Sequence, residues 1–170
     1  ALPSPYRKIF AFKVEEPITA FEMAGDRLYA AADKSIRILN REGAEEHRFA
    51  TADVVRDVVS VGDELYVLHP TMIGVYTLAG ATVRSWEACS PESDYCSMAI
   101  VGDEIFVTDA SNKNICQYNR EGAFRRFIDS PNGFIVPSYS FGITTVGDKV
   151  SCSYPGCHTV ECYAMQGQFV

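Results

Sequence analysis

The sequence predicts an all-β chain: a β-propeller with about four four-stranded blades, as part of a ring of about six. Two recurrences carry this. A Gly-Asp pair stands at Gly25-Asp26, Gly62-Asp63, Gly102-Asp103 and Gly147-Asp148, at spacings of 37, 40 and 45 residues. A second glycine follows each first one after 18, 18, 20 and 20 residues, at Gly43, Gly80, Gly122 and Gly167. A third observation is negative: no window shows sustained helical periodicity. Self-similarity of this period is the mark of stacked sheets that cannot each bury both faces alone.

The elements follow in order within each repeat. An apolar strand precedes the Gly-Asp pair: Ala20 to Ala24, Val58 to Val61, Met98 to Val101 and Ile143 to Val146. The pair itself is a tight hairpin, because glycine reaches positive φ without steric cost and Asp tolerates a turn. A second strand follows at Leu28 to Ala30, Leu65 to Val67, Ile105 to Val107 and Val150 to Cys152. The third runs over Ile36 to Leu39, Ile73 to Tyr76, Ile115 to Tyr118 and Val160 to Tyr163. The fourth lies past the second glycine, at His47 to Phe49, Val83 to Trp86, Phe124 to Phe127 and Gln168 to Val170. Val, Ile, Tyr and Phe dominate these runs and suit a pleated surface. The repeats span roughly 15–51, 52–88, 89–129 and 130–170. A leading strand, Tyr6 to Val14, alternates apolar and polar residues like the outer strand of an earlier or shared blade.

Composition narrows the partners. The 170 residues carry a net charge of −7, and the basic residues are scattered. Nucleic acid, which needs a basic face, is not an expected partner. No apolar run approaches the ~18 residues of a membrane helix, so insertion in a membrane is not expected. The chain starts at Ala1 without Met and stops inside an expected strand. We therefore expect a processed protein or a piece of a longer one.

The third repeat, Val101 to Gly122, carries the residues of a resemblance. Its apolar strand, Gly-Asp turn, Ile105-Phe106-Val107-Thr108-Asp109 and Ile115-Cys116-Gln117-Tyr118-Asn119-Arg120-Glu121-Gly122 resemble NHL-type propellers. More narrowly, Phe134 to Tyr139 and Ser153 to His158 are similar to a segment of bacterial, exported NHL-repeat proteins of unknown role. Cys157 stands where that segment has Arg. The resemblance implies further blades beyond this chain, a bacterial source and an extracytoplasmic location. It implies no particular ligand.

Candidate chemistry is sparse. Cys152, Cys157 and Cys162, with His158 beside Cys157, offer the donor types of a tetrahedral metal, but not in C-x2-C spacing. Thiols packed as small apolar groups, or a disulfide within the set, are expected ahead of a metal. Cys89 and Cys96 flank a short insertion and are the disulfide candidates, with two free thiols as the alternative. Cys116 has no evident partner in sequence. His69 and His158 both follow a second strand, where loops cross one face. Two imidazoles are too few for a shared metal, so none is expected, and no cofactor motif is present.

Propellers bind ligands where the innermost strands begin. Counting back six residues from each first glycine gives Thr19, Arg56, Cys96 and Phe141, with Asp57, Tyr95 and Tyr139 as neighbours. We expect Arg56, Asp57, Tyr95, Tyr139 and Phe141 to ring a mixed polar and aromatic mouth, with Arg56 and Asp57 close enough to pair. The expected function is a non-catalytic scaffold that binds a protein or a small molecule. The alternatives are a metal-dependent hydrolase or lyase at the same mouth, and a self-associating module that forms a homo-oligomer.

Overall fold

The computed structural model describes residues 16–128, together with the backbone of three further strands between 142 and 164. The first sheet contains β1 (Ala20–Ala24), β2 (Arg27–Ala32), β3 (Ser35–Leu39) and β4 (Glu45–Ala50). The second contains β5 (Asp57–Val61), β6 (Glu64–His69), β7 (Met72–Thr77) and β8 (Thr82–Glu87). The third contains β9 (Tyr95–Val101), β10 (Glu104–Asp109), β11 (Asn114–Asn119) and β12 (Phe124–Ile128). A further sheet contains β13 (Gly142–Val146), β14 (Lys149–Tyr154) and β15 (Thr159–Ala164). Each sheet is an antiparallel meander in sequence order, which makes it a propeller blade. The expected strands Tyr6 to Val14 and Gln168 to Val170 lie outside the described residues.

The first strands sit side by side, β1 against β5, β5 against β9 and β9 against β13, and so form the inner wall. In the first three blades the second and third strands are buried along nearly their whole length and read as nearly continuous apolar runs, as strands covered on both faces do. Alternation divides them. Leu65 and Val67 of β6 face Tyr29, Ala31, Ile36 and Ile38 of the first blade. Tyr66 and Leu68 face Met98, Ile105, Val107, Cys116 and Tyr118 of the third. Among the described residues, two cores therefore lie between blades. The outermost strands β4, β8 and β12 are largely exposed.

The second glycine of the repeat has a tertiary cause. Gly80 and Gly122 have φ of +96° and +97°, so a side chain there would be strained. Each also carries the outer-strand aromatic of the preceding blade. A Cβ at Gly80 would lie 2.4 Å from Phe49 Cγ, and one at Gly122 2.6 Å from Trp86 Cε3. Phe49 and Trp86 each stand six residues past the second glycine of their own repeat. One blade's outer aromatic thus locks onto the next blade's outer turn.

The interface between the second and third blades has a further clasp. Arg84 lies over the Tyr66 ring, donates to the Tyr66 hydroxyl at 2.7 Å and to the Arg120 carbonyl at 2.9 Å, and pairs with Glu64. The equivalent position in the first repeat is His47. There the Tyr29 hydroxyl donates instead to the Leu78 carbonyl at 3.3 Å. A cleft of about 330 Å³ remains among Arg27, Tyr29, Ile38, Glu46, His47 and Leu78.

Candidate functional site: the mouth of the inner wall

Inner strands have one edge with no strand beside it in their own blade, so their N–H groups need other acceptors. Two carboxylates meet part of that need by reaching from one blade to the next. Glu22 Oε2 accepts from Ser60 N at 2.8 Å. Asp57 Oδ2 accepts from Met98 N at 2.9 Å, and its Oδ1 from Val58 N. Burial pushes the Asp57 carboxyl up to about 6, against the two N–H donors that favour its charge, and the nearby Glu22 charge adds to the rise.

Of the residues six places before each first glycine, the three among the described residues lie together. Thr19, Arg56 and Cys96, each from a different blade, together line two adjoining clefts of about 370 and 300 Å³. Ile18, Ala20, Phe21, Asp57 and Ser97 complete the first, and Val54 and Val55 the second. Backbone bonds to the second strand of the same blade position two of the three. Thr19 N donates to Ala31 O and Arg56 N to Leu68 O. Cys96 is placed differently. Between Thr108 and Asp109 the β9–β10 register slips, so Tyr95 pairs with Asp109 and Ser97 with Thr108. Cys96 is the extra residue of this bulge, and bulges re-aim side chains.

Arg56 reaches across to the third blade. Its Nη1 donates to Asp94 Oδ1 and to the Tyr95 carbonyl, both at 2.9 Å, with the side chain 19% exposed. Asp57 likewise turns to the third blade, so each of the two adjacent residues ties neighbouring blades together. Asp94, which the sequence reading missed, stands eight residues before Gly102, where the second repeat has Val54. Both positions are pinned by the last residue of a second strand. Asp94 N donates to Asp109 Oδ1 at 3.1 Å, and His69 Nδ1 lies 2.9 Å from Val54 O. Aligning the repeats at that position would have singled Asp94 out as a charged residue beside the mouth.

Several expectations are corrected. Tyr95 starts β9 at the mouth, but its side chain is fully buried between the second and third blades, its hydroxyl 2.6 Å from that of Tyr118. Its side chain points inward while the bulged Cys96 beside it faces the cleft. His69 does not sit in a crossing loop. It closes β6, fully buried, with Nε2 lacking a hydrogen-bond partner among the described residues, and burial lowers its pKa. Among the described residues no three His, Cys, Asp or Glu side chains form a metal-holding group. Cys89 and Cys96 are free thiols. Cys89 Sγ meets the Tyr118 hydroxyl at 3.0 Å, whereas Cys96 Sγ donates to the Asp94 carbonyl at 3.5 Å, so the bridge expected between them is not formed. Tyr139, Phe141, Cys157 and His158 lie outside the described residues.

No family model matches the sequence, and no curated protein does. Solved structures do match. The computationally designed Ika4 protein aligns with TM-score 0.68 and 11% identity, covering 94% of this chain and 98% of that one. Virginiamycin B lyase from Staphylococcus aureus aligns with TM-score 0.74 and 15% identity over 90% of this chain and 54% of that one. The Cps50 (Swd1) β-propeller domain of Myceliophteria thermophila aligns with TM-score 0.67 and 14% identity, over 85% and 50%. The chain thus spans nearly all of the first and about half of the other two. At these identities the likeness concerns fold alone. Sheets, inner wall and neighbours together define a β-propeller fold.

Proposed function

We propose that the chain is a binding scaffold whose ligand, a small molecule or an extended protein segment, sits at the mouth of the inner wall. One observation supports this most: three repeat-equivalent residues of different chemistry, Thr19, Arg56 and Cys96, meet in one open recess. Identical repeats would place identical residues there. A hydroxyl, a guanidinium and a thiol beside the exposed Phe21 instead make an asymmetric surface with polar groups set among apolar ones. Binding is preferred to a hydrolase or lyase reading because the described lining offers hydrogen-bonding and apolar groups rather than clustered imidazoles and carboxylates. The sequence resemblance to exported NHL-type propellers supports an extracytoplasmic setting, with a protein or small-molecule partner.

The test is a thermal-shift screen of the folded chain with amino acids, nucleosides, short oligosaccharides and short peptides as probes. A supporting probe raises the melting temperature, loses that effect in Thr19→Trp, and slows iodoacetamide modification of Cys96 but not of Cys89. A probe that acts equally on Thr19→Trp and leaves Cys96 reactive binds elsewhere and refutes the assignment.

A further inference from the structure

Independently of the mouth, the interface between the second and third blades holds a polar cluster that packing alone does not call for. Cys116 and Tyr118 are two residues apart on β11 and project to the same face, inward. Tyr95 arrives from β9, and its hydroxyl lies 2.6 Å from Tyr118 Oη. Cys89, on the connector leaving β8, brings its Sγ to 3.0 Å from the same Tyr118 Oη. The Cys116 thiol lies in the same buried cluster as Tyr95 and Tyr118, near enough to the Tyr95 hydroxyl and the Cys89 thiol for both to act on its ionisation, and reaches Asn114 Oδ1 at 3.9 Å. Two thiols that are far apart in sequence therefore meet over a pair of phenols, one at the surface and one in the core. Cys89 is exposed and Cys116 is buried.

We propose that Cys89 and Cys116 are a redox-modification site: a peroxide oxidises Cys89, and Cys116 closes on it to form a disulfide that staples the second blade to the third. In the first step the Cys89 sulfur attacks a peroxide oxygen. The O–O bond breaks, an S–O bond forms, and sulfenic acid and water result. In the second step the Cys116 sulfur attacks the Cys89 sulfur, the S–O bond breaks, and the hydroxyl leaves as water with the Cys116 proton. Two thiols and one hydrogen peroxide thus give one disulfide and two waters. The exposed thiol is the one that meets the oxidant, and the buried one resolves it. Burial pushes the Cys116 thiol up to about 12, so its deprotonation paces closure, and closure quickens as pH rises.

The experiment treats the folded chain with equimolar hydrogen peroxide at about pH 7 and about pH 8.5. Free thiols are then blocked with iodoacetamide, and the unreduced protein is digested for mass spectrometry. The expected product is a linked pair of peptides containing Cys89 and Cys116, formed faster at the higher pH and reversed by dithiothreitol. Cys96→Ser should leave the yield unchanged. Cys116→Ser should stop the reaction with Cys89 as sulfenic or sulfinic acid. The oxidised chain should also unfold at higher urea than the reduced one. A Cys89–Cys96 link, a link from Cys89 to Cys152, Cys157 or Cys162, or over-oxidised Cys89 beside an intact Cys116 thiol would each overturn the proposal.

Discussion

Replacing Gly122 by Ala tests the idea that outer turns are receptors for the preceding blade. Two costs add at this site. An L-residue at φ +97° lies outside even the left-handed well, at roughly 2 kcal/mol. The new Cβ would also sit 2.6 Å from Trp86 Cε3 and 2.7 Å from Cδ2, and displacing a packed ring costs about 1–3 kcal/mol. The sum is about 3–5 kcal/mol, a large part of the ~5–15 kcal/mol that holds a domain folded. Gly102→Ala supplies the control. Its φ is +57°, and a Cβ there would meet nothing within 4 Å, so only the backbone cost of about 1–2 kcal/mol applies. Trp86 is the sole tryptophan, so its fluorescence in a urea titration reports this interface directly. A double-mutant cycle with Trp86→Leu isolates the contact, and the Gly122→Ala loss should shrink by about 1–2 kcal/mol when the ring is gone. Equal losses for Gly102→Ala and Gly122→Ala, or additive effects in the cycle, would refute the reasoning.

Two further outcomes follow from the inner wall and the first interface. The Asp57 carboxyl is held at about 6 against an ordinary 3.8, so the charged form is the one disfavoured by folding. Its contribution is fully present below about pH 4 and is lost as pH rises through about 6, a change of roughly 2–3 kcal/mol. Asp57→Asn removes that titration. The stability of the wild type relative to the variant should therefore fall by this amount between about pH 4 and about pH 8, and parallel pH profiles would contradict it. His47→Arg should fill the cleft between the first and second blades as Arg84 fills its counterpart, raising stability by roughly 1 kcal/mol in the same titration. No gain would mean that Arg27, standing where the second repeat has Glu64, repels the added charge.

The strand pattern and the turns of this propeller were legible because they are local. A hairpin requires its glycine within a few residues, and a strand covered on both faces shows itself as an unbroken apolar run. Simple counting within the repeat also brought Thr19, Arg56 and Cys96 to one rim, since equivalent positions in stacked sheets occupy equivalent places around an axis. Counting located backbone atoms, not side-chain directions, and Tyr95 shows the difference. Its Cα lies at the rim, while its ring is buried in the core.

Sequence by itself determined the blades, their order and the rim positions, because hydrogen-bonded hairpins and alternation act over a few residues. The tertiary structure decided which side chains meet across blades: Arg56 with Asp94, Trp86 with Gly122, and Cys89 with Tyr118 rather than Cys96. Those meetings depend on how far one sheet slides and turns against the next. Every side chain in the shared core sets that offset jointly, and no short stretch of sequence encodes it.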